Sequence, residues 1–130
     1  MSQSPVPTEL KLQQSERQLV VTFDTGETFV LPCEYLRVYS QSAEVTGHAP
    51  DQAVLQVGKQ AVNIDAITPV GNYAVKLHFD DGHDSGIYTW EWLYTLGKHQ
   101  TRYWQDYLTR LARAGHRHPD QSPSPLNEIL

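Results

Sequence analysis

A segment written twice constrains this chain more than any other feature. One copy runs Leu19-Val-Val-Thr-Phe-Asp-Thr-Gly-Glu-Thr-Phe-Val-Leu-Pro-Cys-Glu-Tyr-Leu36. The other runs Val75-Lys-Leu-His-Phe-Asp-Asp-Gly-His-Asp-Ser-Gly-Ile-Tyr-Thr-Trp-Glu-Trp-Leu93. Phe23-Asp24-x-Gly26 lies over Phe79-Asp80-x-Gly82, and Leu36 over Leu93 after one insertion. Each copy alternates apolar with polar, turns, runs apolar again and ends in an aromatic-rich helical stub. Alternation of period two puts one face of a strand into a core. Asp favours entry into a turn, and Gly takes positive φ there without steric cost. The repeat therefore predicts an α+β fold. Its small, mostly antiparallel sheets come from two strand–turn–strand–helix units, completed by a C-terminal helix.

The remaining elements follow from local chemistry. Leu10 and Leu12 alternate ahead of a turn at Ser15-Glu16-Arg17. Residues 28–31 return from the first hairpin, and Pro32 suits the start of a short helix over Cys33–Val38. Residues 54–57 and 62–67 read as short strands, and Pro69-Val70-Gly71-Asn72 as a turn. Residues 73–79 are the strongest strand and 85–88 its return. Thr89 predicts the N-cap of a stub over 90–96, ended by Gly97. A last helix over 100–114 places Trp104, Tyr107, Leu108 and Leu111 on one stripe, closed by Gly115. Residues 40–52 form a long polar connection.

A length of 130 residues predicts one domain. It is placed at residues 8–115, between a loose arm over 1–7 and a proline-rich disordered tail over 116–130. The formal charge of −5 argues against general affinity for nucleic acid or an anionic membrane. Arg102, Arg110, Arg113 and Arg117 read as a solvated helix face. Cys33 is the single cysteine, which excludes an internal disulfide and a cysteine-rich metal site made by this chain alone. It is expected to be buried and structural. No stretch approaches the roughly 20 apolar residues of a membrane span, and the start lacks the pattern of a secretory signal. A cytoplasmic monomer is the expectation.

Candidate chemistry is sparse. Asp80, Asp81, His83 and Asp84 bring four ligating side chains together in five residues. Neighbours on a tight hairpin point in different directions, so no more than two would share an ion. The turn reads as exposed and solvated, without the cleft that an acid–base pair needs. There is no glycine-rich phosphate loop and no GxSxG. Tyr88, Trp90, Trp92, Tyr94, Tyr103, Trp104 and Tyr107 form a dense aromatic group, most of it needed for the core. Any that stay exposed would mark a partner surface. The candidate surface is Arg37, Tyr88, Trp90 and Trp92, with His83 at its edge.

Three motifs in combination carry a family resemblance. They are Leu31-Pro32-x-Glu34-x-Leu36-Arg37, then Pro69-Val70-Gly71-Asn72-Tyr73-Ala74-Val75, then Phe79-Asp80-Asp81-Gly82-His83-x-Ser85-Gly86-Ile87-Tyr88-x-Trp90-x-x-Leu93. Across about residues 8–115 the chain resembles the gamma-butyrobetaine-hydroxylase-like N-terminal domain, known in bacteria as a stand-alone domain of unknown function. The module also precedes the oxygenase domain of gamma-butyrobetaine and trimethyllysine hydroxylases. It is similar to a C-terminal module of some plastid P-loop proteins that handle iron–sulfur clusters. In the long hydroxylases it holds a structural zinc through three cysteines after the Leu-Arg pair and a histidine of the later hairpin. Matching on Leu36-Arg37 puts those cysteines at Ser40, Ser42 and Val45, and the histidine at His83; Cys33 matches no ligand. The oxygenase domain has no counterpart here, so hydroxylase activity does not carry over. The resemblance implies a non-enzymatic binding or adaptor module, without a cofactor, whose protein partner is associated with iron, iron–sulfur or oxygenase chemistry. The alternative is a metal-binding protein or accessory oxidoreductase component. It would hold iron or zinc through His83 with Asp80, Asp81 or Asp84.

Overall fold

In the computed structural model, residues 5–40, 55–84 and 86–120 are described. Two antiparallel three-stranded sheets carry the fold. The first holds β1 (Pro7–Gln13), β2 (Gln18–Phe23) and β3 (Thr28–Pro32), in that order. The second holds β4 (Ile64–Val70), β5 (Ala74–Phe79) and β6 (Ile87–Thr89). A helix follows each: α1 (Cys33–Val38) after β3 and α2 (Trp90–Lys98) after β6. The longer α3 (Gln100–Arg113) is the last of the described elements. The α+β architecture and its two related units are as the repeat predicts.

The repeat is visible in its hydrogen bonds. In the first turn the amide of Gly26 donates to the Phe23 carbonyl, and that of Phe23 to the Glu27 carbonyl. In the second the amide of Gly82 donates to the Phe79 carbonyl, and that of Phe79 to the His83 carbonyl. Gly26 and Gly82 sit at φ 90° and 89°, where a side chain would be strained. In-phase alternation then pairs like with like across the strands. Leu19 faces Leu31, Ile64 faces Phe79 and Val75 faces Tyr88. These side chains meet Tyr35 and Leu36 of α1 and Leu93 and Leu96 of α2 in one core. Val38, Tyr107, Leu108 and Leu111 make a smaller cluster beneath α3. Gln14 sews the sheets together: its Nε2 donates to the Ile64 carbonyl at 3.0 Å, and its carbonyl accepts from Asn63 Nδ2 at 2.9 Å.

Several local expectations are corrected. Residues 55–57 form no strand, and residue 54 lies outside the described residues. The strand expected at 62–67 starts at Ile64 and continues through Pro69, where the sequence suggests a turn. Proline is tolerated there because β4 is an edge strand. Thr89 does cap α2, its Oγ1 accepting from the Trp92 amide at 3.0 Å. Gly97 does not end that helix, which runs on to Lys98. In the tail expected from residue 116, residues 116, 117, 119 and 120 are exposed where described, but His118 is buried against α1. Most of the 40–52 connection, with Ser42 and Val45, lies outside the described residues. No described helix is long and apolar enough to cross a membrane.

Candidate functional site

Two polar clusters meet at α1. The first joins Arg37 to the Phe-Asp-Asp-Gly-His turn. Arg37 is 6% exposed, and its Nε donates to Asp81 Oδ2 at 2.9 Å while a terminal nitrogen donates to Gln56 Oε1 at 3.1 Å. Lys59 Nζ lies 2.7 Å from the same Asp81 oxygen, and the His83 amide donates to Asp81 Oδ1 at 3.1 Å. Desolvation works to raise the Asp81 carboxyl. The Lys59 ammonium, the His83 amide and the Arg37 guanidinium outweigh it and hold the group down at about 2.

The His83 ring points inward, beside the Phe79 ring at a centroid distance of 6.0 Å. His83 is 4% exposed rather than the solvated turn residue the sequence suggests. Its Nε2 lies 3.0 Å from the Oγ of Ser40, which is buried. Gly86 leaves the room, since a Cβ there would overlap Ser40 Oγ. Asp80 and Asp81 do not converge on the ring. Asp80 Oδ1 accepts from the Asn63 amide at 3.0 Å, and Asp81 is committed to Arg37 and Lys59. Among the described residues no group of three His, Cys, Asp or Glu side chains could hold a metal ion. The structure does bring together the two described positions matched to zinc ligands. They do not fit zinc, because a serine hydroxyl replaces the thiolate and is within hydrogen-bond distance of the imidazole.

The candidate partner residues are dispersed. Arg37 and Tyr88 are buried, the Tyr88 hydroxyl donating to the Leu36 carbonyl. Trp90 and Trp92 remain partly exposed. They stand about 200° apart around a helix. The Trp90 indole donates to the Asn72 carbonyl at 2.8 Å and the Trp92 indole to the Tyr39 carbonyl at 3.0 Å. Cys33 is buried, and burial pushes its thiol up to about 11, so it offers no thiolate at neutral pH.

The second cluster was not legible in the sequence. Glu34, 9% exposed, accepts at Oε2 from the Tyr107 hydroxyl at 2.7 Å and from His118 Nε2 at 2.7 Å. Its Oε1 lies 3.0 Å from the same imidazole nitrogen. The Asp120 amide donates to His118 Nδ1 at 3.0 Å, so the ring's proton sits on Nε2 and points at Glu34. Burial, reinforced by the Glu34 carboxylate, raises the Tyr107 phenol and keeps it a donor. The Trp104 indole donates to Asp120 Oδ2 at 3.2 Å. Beside this cluster opens a cavity of about 490 Å³, with Pro32, Glu34, Lys98, Thr101, Trp104 and Asp120 on its lining. The internal repeat aligns Glu34 with Glu91, which is exposed, so the sequence carried no signal that Glu34 would be buried.

The family model described as gamma-butyrobetaine hydroxylase-like, N-terminal, matches residues 10–94. An NMR solution structure that is 49% identical covers 95% of this chain and 97% of its own, with a TM-score of 0.76. A second NMR structure is 44% identical, covers 92% and 95%, and has a TM-score of 0.76. A crystal structure of a protein of unknown function from Acidithiobacillus ferrooxidans, placed in the DUF971 family, is 37% identical. It covers 70% of this chain and 91% of its own, with a TM-score of 0.58. No curated protein matches the chain. The family match spans both repeat units, while α3 and the Glu34 partners Tyr107 and His118 lie beyond it. With a family model over most of its length and relatives similar almost end to end, the chain belongs to the gamma-butyrobetaine hydroxylase-like N-terminal domain family, of unknown function.

Proposed function

We propose that this chain is a non-enzymatic protein-binding module. It docks through the corner where the β4–β5 turn meets the start of α2. The observation that carries this reading is the pairing of Trp90 with Tyr73. The Trp90 amide donates to the Tyr73 carbonyl at 3.0 Å, and its indole to the neighbouring Asn72 carbonyl. The indole is therefore held in one orientation while partly exposed, beside a Tyr73 that is 53% exposed. Ile87, on the edge strand β6, is 40% exposed. A domain this small has strong use for aromatic area in its core. Rigid Trp and Tyr left in solvent are the residue types that dominate binding hot spots. Trp92, fixed against Tyr39 on another side of α2, is a second anchor. The family is described as gamma-butyrobetaine hydroxylase-like, N-terminal, so a hydroxylase is the first partner to test.

The test is capture of partners from native lysate by wild type, Tyr73→Ser and Trp90→Ala, each first shown to be folded by its thermal melt. A specific partner held by wild type and lost by both variants is expected. Retention of every specific partner by both folded variants would place the surface elsewhere.

A further inference from the structure

We propose that the cavity beside Glu34 is a binding site for a small organic cation bearing an ammonium or guanidinium group. Its floor is a carboxylate about nine-tenths buried. Tyr107 and His118 hold Glu34 in place through three contacts, two on Oε2 and one on Oε1. A carboxylate offers roughly four acceptor positions, so Oε1 keeps capacity for one more donor. Trp104 supplies an aromatic wall, suited to a cation, and its indole N–H holds Asp120 as a second carboxylate on the lining.

Charge decides the class of ligand. Lys98 is the cationic side chain on the lining, and its ammonium is paired with Glu27 Oε2 at 3.0 Å. The start of α3 also borders the cavity and contributes roughly half a positive charge. Against it the lining sets two carboxylates, Glu34 and Asp120, which favour a cation over an anion. Its volume of about 490 Å³ falls within the range of roughly 300–1,000 Å³ usual for small-ligand pockets. A pinned carboxylate is also preorganised, which lowers the ordering cost of binding. The site is separate from the Trp90 corner, and neither reading depends on the other.

The experiment follows the Trp104 indole N–H by NMR while cadaverine or agmatine is added, with 1,5-pentanediol and valerate as neutral and anionic controls. The two cations are expected to give saturable shifts with Kd below about 1 mM, and the controls none. Asp120→Asn keeps an oxygen for Trp104 but removes a charge, and should weaken binding at least about tenfold. Glu34→Gln should do the same; if it fails to fold, Asp120→Asn decides alone. Lysine capped at both ends distinguishes the source of the cation. Binding equal to cadaverine assigns the site to a protein side chain, and weaker binding to a free amine; both support an ammonium site. Absence of saturation by either cation up to about 20 mM would overturn the proposal. So would equal binding of the diol, or unchanged affinity in Asp120→Asn. Trp90→Ala should leave cation binding intact, so this test stands whether or not the docking corner is right.

Discussion

Gly97 of α2 lies against the ring of Phe29 on β3, so closely that a Cβ at Gly97 would overlap the ring. The first sheet thus packs directly on helix backbone. Phe23 and Phe29 also meet the Tyr94 ring edge-on, at centroid distances of 5.1 and 5.8 Å. In an exposed helix Gly→Ala stabilises by about 1 kcal/mol. Here Gly97→Ala should instead destabilise by about 1–3 kcal/mol through overpacking. Urea melts check this, and a stabilised variant would show that the Phe29 ring yields freely.

His83→Ala should cost about 1–3 kcal/mol, because it removes a buried ring and a partner of the Ser40 hydroxyl. The loss should be the same with and without added zinc. Denaturant midpoints of both proteins in zinc and in chelator provide the comparison. A cost that appears only with zinc would restore a metal to this position.

Removing residues 116–130 should lower stability by about 1–3 kcal/mol, since buried Glu34 loses the imidazole that donates to it. His118→Ala should reproduce most of that loss. Calorimetric melting of the shortened chain measures it. Wild-type stability after truncation would mean that His118 adds nothing to the fold.

Asp81 sets an acid limb. Its carboxyl is held at about 2 in the folded chain, against an ordinary value of about 3.9 when unfolded. The resulting stability is fully present above about pH 4 and is lost as the pH falls toward about 2. Asp81→Asn should therefore be less stable at neutral pH and flatter below about pH 4, the two curves converging in acid. Urea midpoints against pH show this. Glu27 keeps part of the slope in both proteins. Its Tyr94 hydrogen bond, then those from Thr25 and Lys98, hold its carboxyl at about 2 as well.

Where structure depends on near neighbours, the sequence was readable. Both Phe-Asp-x-Gly turns, the alternation of β2 and β5 and the Thr89 cap follow from residues a few positions apart. Gly97 misled because its reason lies in Phe29, on another element. Pro69 misled because its tolerance depends on β4 having no second neighbour among the described strands. The turn over 80–84 was legible as rich in polar side chains. Its inward histidine meets Ser40, 43 positions away, a contact that composition does not reveal. Arg37 was read as surface because arginine usually is, and its burial rests on Asp81, 44 positions away. Glu34 and His118 are separated by 84 positions, beyond the reach of any local pattern.

Helix α1 has six residues, and every one of them is buried. So short a helix does not hold itself together in water. Cys33, Tyr35 and Leu36 belong to the main core and Val38 to the smaller cluster, while Glu34 and Arg37 anchor the two polar networks. No face of α1 is free to fray while the rest stays folded. Its amide protons should therefore exchange with solvent only when the whole domain opens. The slowest hydrogen exchange among the described elements would then lie in the shortest described α-helix, and the rate there would report the global free energy of unfolding.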